Sequence, residues 1–88
     1  MALHEHITIN GDEQFWSEYV EIVNAEHKQN REEMMDQIIF YGLQGQYEHC
    51  GVRIHSEGTK DGKQYNFTFS IHREDNQFYL TYVGREEE

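Results

Sequence analysis

Eighty-eight residues make a single domain, 1–88, with no room for a second. Seventeen acids against seven bases give a formal net charge of −10, which repels nucleic acid and anionic membrane surfaces and favours cationic partners. One cysteine, Cys50, excludes an intramolecular disulfide, so a reducing, cytoplasmic setting is expected.

Leu3 to Asn10 alternates, with Leu3, Glu5, Ile7 and Ile9 on one face and His4, His6 and Thr8 on the other. That pattern predicts a first strand. Asn10-Gly11-Asp12 is a turn and helix-start signal in which Asn10 or Asp12 can cap. From Asp12 the period becomes helical. Phe15, Trp16, Tyr19, Val20, Ile22 and Val23 form an apolar stripe, and Glu18 and Glu21 fall opposite it. The stripe weakens from Asn24 to Asn30. Asn30 followed by Glu33 resembles a capping box, and Met34, Met35, Ile38 and Tyr41 continue at helical spacing towards Gly42, a natural helix stop. We therefore expect two helices with a break near 25–30. The competing reading is one helix over 12–41, which keeps Trp16, Val20, Val23, His27, Met34, Ile38 and Tyr41 nearly in phase.

Leu43 to Gly51 is ambiguous between loop and strand start. Val52 to Glu57 predicts a strand, and Gly58 to Gly62 a hairpin turn with Asp61-Gly62 at its tip. Lys63 to Arg73 alternates, with Tyr65, Phe67, Phe69 and Ile71 on one face and Asn66, Thr68, Ser70 and His72 on the other. Glu74-Asp75-Asn76 is a second turn. Gln77 to Val83 closes a meander, with Phe78, Leu80 and Tyr82 opposite Tyr79, Thr81 and Val83. The fold class is α+β in the order β-α-α-β-β-β, an antiparallel sheet covered on one face by the helical stripe. The last strand is apolar on both faces, which marks a surface for a partner or for a homodimer around Tyr79 and Val83. Glu86 to Glu88 read as a disordered acidic tail. Apolar residues are only 36% of the chain while aromatics are 14%, so Phe, Tyr and Trp16 must supply much of the core.

The residues that carry chemistry do not assemble into a known device. His49 and Cys50 are adjacent, so in an extended segment they point to opposite faces and cannot form a nucleophilic dyad. His4 and His6 share a strand face at a spacing suited to a metal, but no Cys-x-x-Cys accompanies them. The chain holds no Gly-x-Ser-x-Gly element and no phosphate-cradling glycine loop. Asn66-Phe67-Thr68 matches a glycosylation acceptor but lies within a predicted strand. The longest strongly apolar run, Ile38 to Tyr41, is far too short to span a membrane, and no leader peptide is expected. The expectation is a protein that is not an enzyme, with no cofactor, no metal and no direct nucleic-acid contact.

What remains is the distribution of charge. Residues 1–51 hold ten acids and two bases, Lys28 and Arg31, while residues 52–88 hold seven acids and five bases. The acidity therefore belongs to the front half and to the last three residues. Carboxylates spaced along a helix can imitate a run of phosphates for a partner that uses Lys and Arg. Glu13, Glu18, Glu21, Glu26, Glu32, Glu33 and Asp36 are the candidates, with Tyr79 or Tyr82 as an exposed aromatic anchor. In size, charge and composition the chain is similar to small acidic inhibitors carried by phages and mobile elements. The expected function is therefore inhibition of a basic, nucleic-acid-binding protein. The alternatives are a homodimeric assembly protein whose charge serves only solubility, and a toxin-immunity protein.

Overall fold

The computed structural model describes residues 7–44 and 48–88. The elements are β1 (Ile7–Asn10), α1 (Asp12–Ile22), a 3-10 turn (Ala25–His27), α2 (Arg31–Gln44), β2 (His49–Ile54), a second 3-10 turn (Ser56–Gly58), β3 (Tyr65–Glu74) and β4 (Gln77–Glu87). They form a four-stranded sheet in the order β1-β4-β3-β2, with the helices on one face. The α+β class and the element order are those the periodicity predicts. The expected strand over Leu3–His6, with His4 and His6, lies outside the described residues, as does Gly45.

The sheet is mixed rather than antiparallel throughout. β2, β3 and β4 form an antiparallel meander, but β1 runs parallel to β4, with Ile7 opposite Phe78 and Asn10 opposite Thr81. A parallel neighbour needs a long crossover, and both helices and two strands separate β1 from β4. β4 consequently lies inside the sheet over Phe78–Thr81, which covers the edge at Tyr79, while Val83 lies beyond the β1 pairing and is exposed.

Gly11 makes the departure from β1 possible. It sits at φ +80, and a Cβ there would meet the Tyr82 Cβ at 3.0 Å. The chain turns at Gly11 straight into α1, where Gly11 itself occupies the N-cap position. Neither expected cap is used: the Asn10 amide reaches Thr81 at 3.5 Å, and Asp12 pairs with Arg31 at 3.0 Å. At α2 the capping signal holds, because the Asn30 side-chain oxygen accepts the amides of Glu32 (2.8 Å) and Glu33 (3.4 Å).

Two helices with a break are what the chain forms. The break is pinned rather than loose. The Asn24 amide N–H donates to the Gly58 carbonyl at 2.9 Å and its side chain to the Thr59 carbonyl at 3.2 Å. The Lys60 amide donates to the Ile22 carbonyl at 2.8 Å, and the Gln29 amide to the Tyr19 hydroxyl at 3.0 Å. These bonds draw the 55–64 connection against the end of α1. That connection is wider than the tight Asp61-Gly62 hairpin the sequence suggests, because Ser56–Gly58 coils instead of extending β2 to Glu57. The β2–β3 pairing therefore closes at Ile54 opposite Tyr65.

Phe15 lies at the centre of the core. Its ring centroid is 5.2 Å from Phe69, 5.4 Å from Phe67, 5.7 Å from Tyr82 and 6.0 Å from Tyr19. Three of these contacts are edge-on, the arrangement that ring quadrupoles favour. Leu80, Met34 and Ile38 are buried around the cluster. The inward alternation of β3 and β4 follows the sequence up to Thr68/Phe69, where the register slips by one residue and leaves Val83 as the exposed extra residue.

The C-terminus is ordered strand, not a free acidic tail. Glu86 pairs with Asn66 and Glu87 with Tyr65. The Glu88 amide donates to the Gln64 carbonyl at 2.8 Å, and its carboxylate accepts from the Asn66 side chain at 2.7 Å and from Gln64. Lys63 reaches Glu87 at 3.2 Å and Arg53 reaches Glu88 at 3.9 Å. The basic and amide groups of the facing strands capture what the sequence alone reads as repelling charge.

Phe15→Ala is expected to cost about 3–5 kcal/mol, because four rings lose their common neighbour and the helix cannot collapse onto the sheet. Urea unfolding followed by tryptophan fluorescence measures it.

Candidate functional site

The acidic residues come to the surface through the way α1 and α2 bury their stripes. α1 turns Phe15, Tyr19 and Ile22 into the core, and α2 turns in Met34, Ile38, Ile39 and Gly42. The residues between face water. Glu13, Glu21, Glu26, Glu32, Glu33 and Asp36 are all exposed, so the helical layer carries six of the seven predicted carboxylates outward. In α2, Glu32 and Asp36 stand four residues apart and Glu33 and Asp36 three apart, which places their Cβ atoms about 5–6 Å from each other.

The only two bases of the front half, both exposed, lie over Trp16. The Lys28 ammonium lies 5.7 Å from the Trp16 ring centroid and the Arg31 guanidinium 6.0 Å from it, a cation–π arrangement. Arg31 also pairs with Asp12. Among the described residues, Glu13, Glu21, Glu26, Glu32 and Glu33 have no cation within ion-pair distance.

Some of this charge has a local structural account. Asp12, Glu13, Glu32 and Glu33 sit in first helical turns, where the macrodipole stabilises an anion by a few tenths of a kcal/mol to about 1 kcal/mol. Glu21 does not. It lies in the last turn of α1, which holds no base, so the macrodipole opposes it.

Glu18 departs from the expected solvent face. Its side chain is only 22% exposed, and its Oε1 approaches Arg85 at 3.8 Å. Its Oε2 and the Tyr82 hydroxyl are both buried without a hydrogen-bond partner. Burial, and next to it the Glu18 carboxylate, pushes the Tyr82 phenol well above its usual range. Tyr82 is therefore a core ring of the Phe15 cluster, not an exposed anchor. Tyr79 is half-buried beside His72, with ring centroids 6.0 Å apart, on the sheet face opposite the helices. It does not share a surface with the carboxylates.

The exposed aromatics are instead Phe40 and Tyr41, 49% and 61% exposed, with ring centroids 5.6 Å apart near the end of α2. The sequence stripe places Tyr41 in the core. Gly42 is the reason it turns out. α2 does not stop there but runs on to Gln44, with Gly42 against the sheet, where a Cβ would stand 3.4 Å from both Cys50 Sγ and Leu80 Cδ2. That close approach rotates Ile39 inward and Tyr41 outward.

Cys50 points inward on β2, with its Sγ 3.9 Å from the Ile38 carbonyl, while His49 is exposed on the other side. Burial raises the Cys50 thiol pKa, so it stays protonated and weakly nucleophilic. Among the described residues no three metal-ligating side chains converge, and no helix is long and apolar enough to cross a membrane. Comparison of the chain with protein-family models, curated proteins and solved structures gave no match.

Tyr82→Phe is expected to change the melting temperature little at neutral pH, since the buried hydroxyl it removes meets only the Glu18 carboxylate, without a well-formed hydrogen bond. The native state holds Tyr82 neutral more firmly than the unfolded chain does. The original protein therefore loses stability as pH rises above the ordinary tyrosine value of about 10, and the variant loses less there. Thermal denaturation across that range reads the difference.

Proposed function

We propose that this chain is a non-enzymatic interaction protein of the phage or mobile-element inhibitor type. It blocks a basic, nucleic-acid-binding protein by presenting carboxylates where that protein meets phosphates. The observation that carries the reading is the exposed set on the helical layer: Glu21, Glu26, Glu32 and Glu33 face water without a described cation, while Lys28 and Arg31 turn aside to Trp16. Three of the bases elsewhere face acids of this chain, Arg53 and Lys63 the C-terminal acids and Arg85 Glu18. The net negative field is thereby concentrated on one side of the sheet, which steers a cationic partner to that side. Phe40 and Tyr41, exposed on α2, supply the aromatic contact in place of Tyr79 and Tyr82. The connection pinned at Asn24 holds α1 and α2 in fixed relation, so little ordering entropy opposes docking.

The test is capture of the partner at low salt, followed by titration of the purified pair. Replacement of about six phosphate contacts predicts an affinity loss of roughly a thousandfold between 50 and 200 mM salt, with displacement by double-stranded DNA. Reversal of Glu21, Glu26, Glu32 and Glu33 to Lys is expected to abolish binding, while Glu74→Lys on the β3–β4 turn leaves it intact. Full binding by the fourfold variant would sink the reading.

A further inference from the structure

We propose that the open edge of β2 is a strand-addition site for an extended, cationic segment of a protein partner. The inference rests on the basic-partner reading above and names the element through which that partner engages.

β2 is the last strand of the sheet, with β3 on one side and, among the described residues, no strand on the other. The Ile71 amide donates to the Glu48 carbonyl at 2.7 Å, so Glu48 and Ile71 form a hydrogen-bonded pair. Antiparallel pairing alternates, and the register runs unbroken from His49 opposite Ser70 to Ile54 opposite Tyr65. Cys50, Val52 and Ile54 therefore spend their backbone groups on β3. His49, Gly51 and Arg53 aim their N–H and C=O groups at the open edge, and all three residues are exposed.

Natural edges are guarded by a charge, a proline or a cover. This one is not. The single charged side chain of β2, Arg53, is drawn back over the sheet, with Nε donating to Asn66 Oδ1 at 3.2 Å and a terminal nitrogen 3.9 Å from Glu88. Gly51 adds no side chain, and one cannot be added, because a Cβ there would overlap the Phe67 carbonyl oxygen. Beneath the edge, the space between α2 and β2 is a cleft. One part, of 190 Å³, lies among Gln37, Tyr41, Gly51 and Arg53, and a second, of 330 Å³, lies among His27, Met34, Ile54 and Glu57. An added strand sends every second side chain into this cleft, against apolar Val52 and Met34, while its backbone meets His49, Gly51 and Arg53.

Charge selects the occupant. Glu33 stands one helical turn before Gln37 on the row that ends at Tyr41, and Glu57 lines the same end of the cleft. Glu48 is exposed at the other end of the strand. A second copy pairing antiparallel through β2 about Gly51 would set Arg53 opposite His49 and Glu48 opposite Ile54, so it would bring no cation to Glu57. A segment alternating Lys or Arg with apolar residues meets carboxylates at both ends instead.

The test uses the whole chain and two synthetic peptides, an alternating Lys-Val sequence and its Glu-Val counterpart, with amide hydrogen exchange as the readout. The Lys-Val peptide is expected to slow exchange at His49, Gly51 and Arg53 while Cys50, Val52 and Ile54 stay as they were. His49→Pro, tolerated at the first residue of a strand, is expected to weaken binding about fivefold, the worth of one hydrogen bond. Four results would overturn the proposal: Lys-Val binding with no protection of those three amides; no binding of Lys-Val; equal binding of Glu-Val; or protection that grows with protein concentration alone, which would assign the edge to a second copy. The first leaves the acidic-surface reading standing, and reversal of Glu21, Glu26 and Glu32, away from the cleft, tests that reading separately.

Discussion

The structure depends on one ring. Phe15 touches rings from its own helix, from β3 and from β4, and among the described residues no other ring contacts as many rings. With so few aliphatic residues, the domain cannot build its interior from branched side chains alone. Aromatic rings bury more area per residue and lose few rotamers, so a short apolar inventory still closes the layer between helices and sheet. Phe67 and Phe69 are buried to 1% exposure or less because α1 is held over them by that contact, and Leu80 is buried against Gly42 of α2.

Once α1 is held there, the outward positions of the helices are free of packing duty. They take carboxylates, and the two nearby cations are diverted to Trp16. First-turn acids are stabilised by the helix dipole, which lets α1 and α2 carry charge at little cost in stability. Glu21 has no such support, and Glu18 is held inside, beside Arg85 and the orphaned Tyr82 hydroxyl. The acidic surface is therefore smaller and better defined than a count of charges suggests. The domain has an acidic helical side and a polar sheet side, with the β2 edge between them.

The topology decides which edges exist. Inserting β1 beside β4 closes the edge of the last strand over Phe78–Thr81 and leaves β2 at the far side. The same arrangement brings Lys63, Gln64 and Asn66 alongside the C-terminal acids and turns them into strand. An apparent solubility tail thus contributes to sheet pairing.

Much of this was legible in the residues. Period-two alternation over Tyr65–Ile71 and Phe78–Tyr82, helical spacing from Phe15 to Val23, and the Asn30 cap all act between near neighbours, and near neighbours are visible in a linear string. The same holds for the location of the acids in the front half and for the opposite directions of His49 and Cys50. What depends on contacts between distant segments was not legible: the parallel pairing of β1 with β4, the inward turn of Glu18 and Tyr82, and the rotation of α2 that exposes Phe40 and Tyr41. Gly42 illustrates the difference. In sequence it is a helix stop, but Cys50 and Leu80 press against its missing side chain and make it the closest approach of the helix to the sheet. The sequence by itself determined the class of fold, the elements and the sign of the charge, because these follow from local periodicity and composition. Only the tertiary structure decided which carboxylates face water and which strand edge stays open, because those depend on which segments, far apart along the chain, share a surface.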